Sequence, residues 1–258
     1  MKEILLAFGR AFRSLWRRDI FWHLVWPGLV AVVLWVTIGV LQWEPMIATL
    51  LGWLHAVPLV GEWLTTSEAL AAIVLVLVKI GLALVFVPLI YVTAAVLVAV
   101  VALPLMLERV GRRDYADLEQ RRGGSNVGSA VNALAATVLF VVALIVSLPF
   151  WLIPGVGLIV SVLLTGWLNQ RAFGYDALML HADADELRRL RGEQRLPMLA
   201  LGGACALLAY VPVLNLVAPA YSGLAFVHFL LEALRRERTR NGVTLIDAAP
   251  KPLPRTNA

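Results

Sequence analysis

Apolar residues run through this chain in blocks too long for the core of a soluble domain. The block 20–41 would make a helix about 33 Å long, matched to a hydrocarbon core of roughly 30 Å. The block 69–107 is broken only by Lys79 and would be about 58 Å long as one helix. No polar loop divides it, so the pattern predicts one long spanning helix that tilts, projects into water, or bends at Pro88 or Pro104. Ahead of these blocks, Ile4, Phe8, Phe12 and Leu15 recur at helical spacing, with Arg10, Arg13 and Arg17 on other faces. That pattern predicts an amphipathic interfacial helix over 1–19.

Two later blocks, 130–168 and 197–232, are interrupted near their middles by proline with glycine or asparagine. Pro154, Gly155 and Gly157 break the first, and Pro212 and Asn215 the second; Pro58 and Gly61 repeat the device between the two spanning helices. Such residues supply the backbone angles of a turn. The predicted fold is all-α and membrane-integral: an N-terminal amphipathic helix, two long transmembrane helices (20–41 and 69–107) and two helical hairpins with Pro/Gly turns. The arm 130–149 is about 30 Å long and reaches across a bilayer, whereas the arm 198–211, at about 21 Å, stops short unless the membrane thins. A hairpin that stops inside the bilayer needs protein or water around its backbone. The hairpin 197–232 is therefore expected to be packed against its neighbours or to line a cavity.

Charge gives these elements a direction. Five Lys/Arg fall in 1–19, five in 108–122, five in 171–195 and four in 235–240, and none in 42–68. The positive-inside rule then places every basic stretch, and both termini, in the cytoplasm and 42–68 outside. Trp43, Trp53 and Trp63 mark the outer interface and Trp16, Trp22 and Trp167 the inner one, while Trp35 lies mid-span and requires a packing partner. Residues 1–240 read as a single membrane domain and 241–258, with three prolines, as a disordered cytoplasmic tail. No cleaved signal peptide is expected, because the first residues are basic and amphipathic.

Composition agrees: 60% of the 258 residues are hydrophobic and 15% charged, against roughly a quarter charged in a soluble domain. The net charge of +5 suits anionic headgroups, and no nucleic-acid motif accompanies it. The single cysteine, Cys205, excludes an internal disulfide and a cysteine metal cluster.

Candidate chemistry is sparse. Lys79, the only charge between Glu68 and Glu108, marks an ion or substrate path or else snorkels to the outer interface. Asp176, His181, Asp183 and Asp185 carry metal-binding atoms but match no ligand spacing, and Asp183 with Glu186 reads as a capping box. The glycine-rich stretch 121–129 lacks the lysine of a phosphate-binding loop and reads as a flexible loop. No nucleophile–base pair or paired carboxylates stands out, so no enzyme, metal or cofactor is expected.

The stretches "IFWHLVWP" (20–27), "LIPGVG" (152–157), "NQRAFGYDALMLH" (169–181) and "YVPVLNLVAP" (210–219) resemble, in order and spacing, the CysZ-type sulfate permeases and related etoposide-induced-protein membrane proteins. The resemblance covers most of residues 5–232. It implies a bacterial inner-membrane protein with long spanning helices, partly penetrating hairpins and homo-oligomeric assembly, and sulfate uptake in the permease branch. That branch carries a basic pair early in the first spanning helix, where this chain has Phe21 and Trp22 and where Arg17 and Arg18 lie four residues earlier. The expectation is an anion permease with Arg17, Arg18 and Lys79 as substrate-binding residues. The alternative is a non-transporting scaffold that organises membrane lipids.

Overall fold

The computed structural model describes residues 2–215 and 217–242. Among them every regular element is helical: α1 (Lys2–Leu15), α2 (Arg18–Ala56), α3 (Pro58–Thr66), α4 (Glu68–Leu97), α5 (Leu103–Asp114), α6 (Asn126–Ser147), α7 (Val156–Asp176), α8 (Ala184–Glu193), α9 (Arg195–Leu208), α10 (Pro212–Asn215) and α11 (Ala218–Arg240). A π-helical turn, Val98–Ala102, joins α4 to α5, and a 3-10 turn, Leu148–Leu152, follows α6. Four helical runs are long and apolar enough to cross a membrane: Arg18–Ala56, Glu68–Asp114, Asn126–Leu152 and Val156–Asp176. The expected tail, 241–258, lies outside the described residues from 243 onward.

The chain forms two compact units, Leu24–Val100 and the remainder. In the first, α2 does not stop at residue 41 but continues through Pro27 and Pro45 to Ala56. Each proline removes one helical donor without ending the helix, as spanning helices tolerate. The break comes at Val57, and Pro58 then occupies the start of α3, where its missing N–H is not needed. Gly61 sits so close to the turn that a Cβ there would lie 2.5 Å from the His55 carbonyl oxygen. Trp35 finds the partners its mid-span position requires: its indole N–H donates to Thr93 Oγ1 at 2.9 Å, and its ring meets Phe86 edge-on. The long second run passes Pro88 inside α4, and its irregular turn comes at 98–102, just before Pro104. Proline at 104 cannot donate to the preceding turn, and a π-turn is one way to rearrange the freed carbonyls.

In the second unit, α6 and α7 form a hairpin turning at Pro154 and Gly155. Gly155 has φ of +82°, which strains any residue with a Cβ, and Gly157 gives room to the Trp151 ring. The next hairpin, α9 to α11, turns through the short α10 rather than a tight turn, and Asn215 there closes a bond to the Val211 carbonyl (2.8 Å). Its short arm is packed, as its length requires. Gly166 of α7 meets Gly202 and Gly203 of α9 backbone to backbone, and Asn169 donates across the seam to the Gly202 carbonyl (3.2 Å). Small residues let membrane helices approach this closely. Helix α11 is the centre of the unit, burying Leu224, Phe226, Leu230, Leu231 and Leu234.

The glycine-rich stretch 121–129 is not a free loop. The N–H groups of Arg121, Arg122, Gly123 and Gly124 donate to the carbonyls of His181, Leu180, Ala182 and Met179. A Cβ on Gly123 would overlap the Asp183 backbone, and one on Gly124 would meet Met179 at 2.6 Å. Glycine is there for close approach, not for freedom.

Candidate anion pocket

Helix α1 packs along α11 through Ala7, Ala11 and Ser14, whose small side chains bring the two backbones together. At the end of this seam the C-terminal turn of α5 closes a cavity of about 320 Å³. Arg10, Arg13 and Arg17 line it from α1 and the residues just after it. Arg113, Asp114 and Tyr115 line it from the end of α5, and His228 and Arg235 from α11. Five arginines thus face a space with one carboxylate on its wall.

Most of these charges are held by carboxylates around the rim. Arg10 donates to Glu232 at 2.6 Å, and Arg17 spans Asp19 (2.9 Å) and Asp114 (3.0 Å). Arg235 grips Asp117 with two bonds of 2.5 and 2.7 Å and lies over the Tyr115 ring, 4.7 Å from its centre. Arg113 reaches Asp19 only at 3.8 Å with two thirds of its side chain exposed, and Arg13 makes no ion pair among the described residues. Five guanidiniums against Asp19, Asp114, Asp117 and Glu232 leave one surplus positive charge, carried on the open side. Burial opposes the charge of Arg17, but Asp19 and Asp114 outweigh it and raise its pKa. Such a pocket can hold an oxyanion, which accepts from arginine donors in fixed, forked geometry.

The floor is neutral. Ser14 Oγ lies 2.9 Å from Nε2 of His228, and Tyr115 Oη lies 3.1 Å from Nδ1 while donating to the His228 carbonyl at 3.1 Å. A neutral imidazole with its proton on Nδ1 satisfies all three groups: Nδ1–H donates to Tyr115 and Ser14 donates to Nε2. Burial pushes the Tyr115 hydroxyl up to about 12, so it stays protonated.

The sequence candidates are distributed differently. Arg17 is in the pocket. Arg18 is exposed at the start of α2, and Lys79 is exposed on α4 with no ion pair among the described residues. The groove of about 880 Å³ between α2 and α4 is lined by apolar residues such as Met46, Trp53, Val78 and Leu82, and Lys79 is not on its wall. The four metal-suggestive residues take four separate places. Asp176 accepts from Ser129 (2.5 Å), His181 is buried with its ring against Gly111, Asp183 caps α8, and Asp185 is exposed. The capping box is present, and Glu186 has a second partner: it accepts two bonds, of 2.9 and 2.8 Å, from buried Arg238. Ser14, Tyr115 and His228 were not visible as a group in the sequence. The stripe Arg10, Arg13, Arg17 was the available signal, since these spacings share one helical face.

These features define an all-helical membrane protein with a cationic pocket. The family described as sulfate transporter CysZ/etoposide-induced protein 2.4 matches residues 7–219, and the chain belongs to it. No curated protein and no solved structure matches the chain.

Proposed function

We propose that this protein passes a small oxyanion across the membrane, sulfate being the class named in its family's description. The observation that carries the reading is the pocket of five arginines with one carboxylate on its wall. Arg13, Arg17 and Arg113 receive the anion there, and Lys79, the one cation of α4, is a second candidate contact for it. The lopsided distribution of Lys/Arg supports an orientation with both termini cytoplasmic, in what the family resemblance implies is a bacterial inner membrane. The exposed apolar groove of α2 and α4 supports assembly with further copies of the chain.

In this reading the protein is no enzyme. Ser14 and His228 are 4% and 3% exposed, and Tyr115 occupies the ring nitrogen that an orienting carboxylate would hold in a nucleophile–base pair. The test is uptake of labelled sulfate into vesicles containing the purified protein. Uptake faster than in empty vesicles supports the proposal, and equal rates refute it.

A further inference from the structure

Helix α1 carries two unlike apolar faces. Ala7, Ala11 and Ser14 are buried against α11. On the opposite side, at helical spacing, Leu5, Phe12 and Trp16 are 67%, 57% and 65% exposed. These side chains form one strip. Phe12 meets Trp16 edge-on at 6.2 Å, and Trp16 stacks on Phe21 at 6.0 Å with the planes 8° apart. The strip therefore crosses onto the first turn of α2, where Phe21 and Trp22 are also exposed and the first spanning run begins.

The cations of this region divide by side. Arg10 and Arg17 turn inward and are paired with Glu232, Asp19 and Asp114. Among the described residues Lys2, Arg13 and Arg18 make no ion pair; Lys2 and Arg18 are exposed, and Arg13 stands between the strip and the pocket. With 3.6 residues per turn, Lys2 and Arg13 fall beside the Leu5–Phe12–Trp16 strip. Aromatic rings flanked by unpaired cations suit the boundary between acyl chains and headgroups. A bilayer is favoured over a protein partner because the strip is continuous with the apolar surface of a spanning helix.

We propose that α1 and the first turn of α2 form a seat for anionic phospholipid, with the rings at the acyl boundary and Lys2 and Arg18 on the phosphates. This goes beyond anion passage and does not depend on it. The full-length protein is reconstituted in vesicles of phosphatidylcholine and phosphatidylglycerol. In a Cys205→Ala background, a nitroxide on Trp16→Cys should be accessible to dissolved oxygen and shielded from a water-soluble nickel chelate. In parallel, the lipid retained through purification is quantified. Phosphatidylglycerol should be enriched over its share in the mixture, and Lys2→Gln/Arg18→Gln should reduce that enrichment about fivefold or more, as the loss of cations at an anionic surface implies. Excess sulfate should leave the enrichment unchanged. A nickel-accessible nitroxide, equal enrichment in the variant, or displacement of the lipid by sulfate would overturn the proposal; the last would make these cations a free-anion site. Sulfate uptake by the same variant reads the pocket independently, since both substitutions leave the pocket's lining untouched.

Discussion

Ser14 Oγ and His228 Nε2 lie 2.9 Å apart although 214 positions separate them in the chain. The contact ties α1 to α11, and both side chains are buried. Replacing His228 by leucine leaves the Ser14 hydroxyl buried without its partner, while Tyr115 still donates to the backbone carbonyl of residue 228. An orphaned buried group costs about 1–3 kcal/mol. The thermal midpoint in detergent should fall clearly, and Ser14→Ala/His228→Leu should recover part of the loss by removing that orphan. A double variant no better than His228→Leu would contradict this account of the floor.

Among the described residues, Arg238 and Glu186 form the most enclosed ion pair, with side chains 2% and 8% exposed. Arg238 also donates to the carbonyls of Glu119 and His181, so one side chain joins α11, α8 and the 115–124 segment. Arg238→Met strands Glu186 in a buried position, and breaking such a pair costs about 3–5 kcal/mol. Arg235→Met, on a half-buried pair at the rim, should cost less. Equal losses by thermal denaturation would contradict the ranking.

His181 gives a pH signature. Burial, helped by the charge of Arg238, lowers its pKa from 6.5 to about 4. Between those values the unfolded chain takes up a proton that the folded protein refuses. Stability is therefore full above pH 6.5 and falls as pH drops toward 4, by about 3 kcal/mol for this group. His181→Gln removes that contribution, so its stability relative to the parent should rise as pH falls from 6.5 to 4. A difference that stays flat across that window would show that His181 is not held neutral.

The α7–α9 seam depends on absent side chains. A Cβ at Gly202 would lie 2.5 Å from the Gly166 carbonyl oxygen. Gly202→Val should push the helices apart at a cost of about 1–3 kcal/mol or more, whereas Gly192→Ala, where nothing lies within 4 Å, should be close to neutral. Protease resistance in detergent distinguishes the two.

The long helices and the turn at Pro154–Gly155 were legible because apolar length and the backbone limits of proline and glycine are local properties. The 121–124 stretch was misread for the same reason. Glycine in a sequence looks alike whether it gives freedom or admits a neighbour, and the neighbour here, 179–183, lies about sixty residues away. The pocket was half legible. Arg10, Arg13 and Arg17 share a visible stripe, but Asp114, Tyr115 and His228 come from distant elements, and no local pattern brings them together. Lys79 drew attention as a lone charge, and its surroundings depend on packing that spacing does not encode.

The most direct test of oxyanion passage is the rate of labelled sulfate entry into vesicles containing the parent protein or Arg17→Gln/Arg113→Gln. Each charged hydrogen-bond donor is worth about 1.5–3 kcal/mol. The parent should exceed empty vesicles, and the variant should need at least about tenfold more sulfate to reach half its maximal rate. Parent entry no faster than in empty vesicles, or a variant indistinguishable from the parent, would contradict the assignment of the pocket.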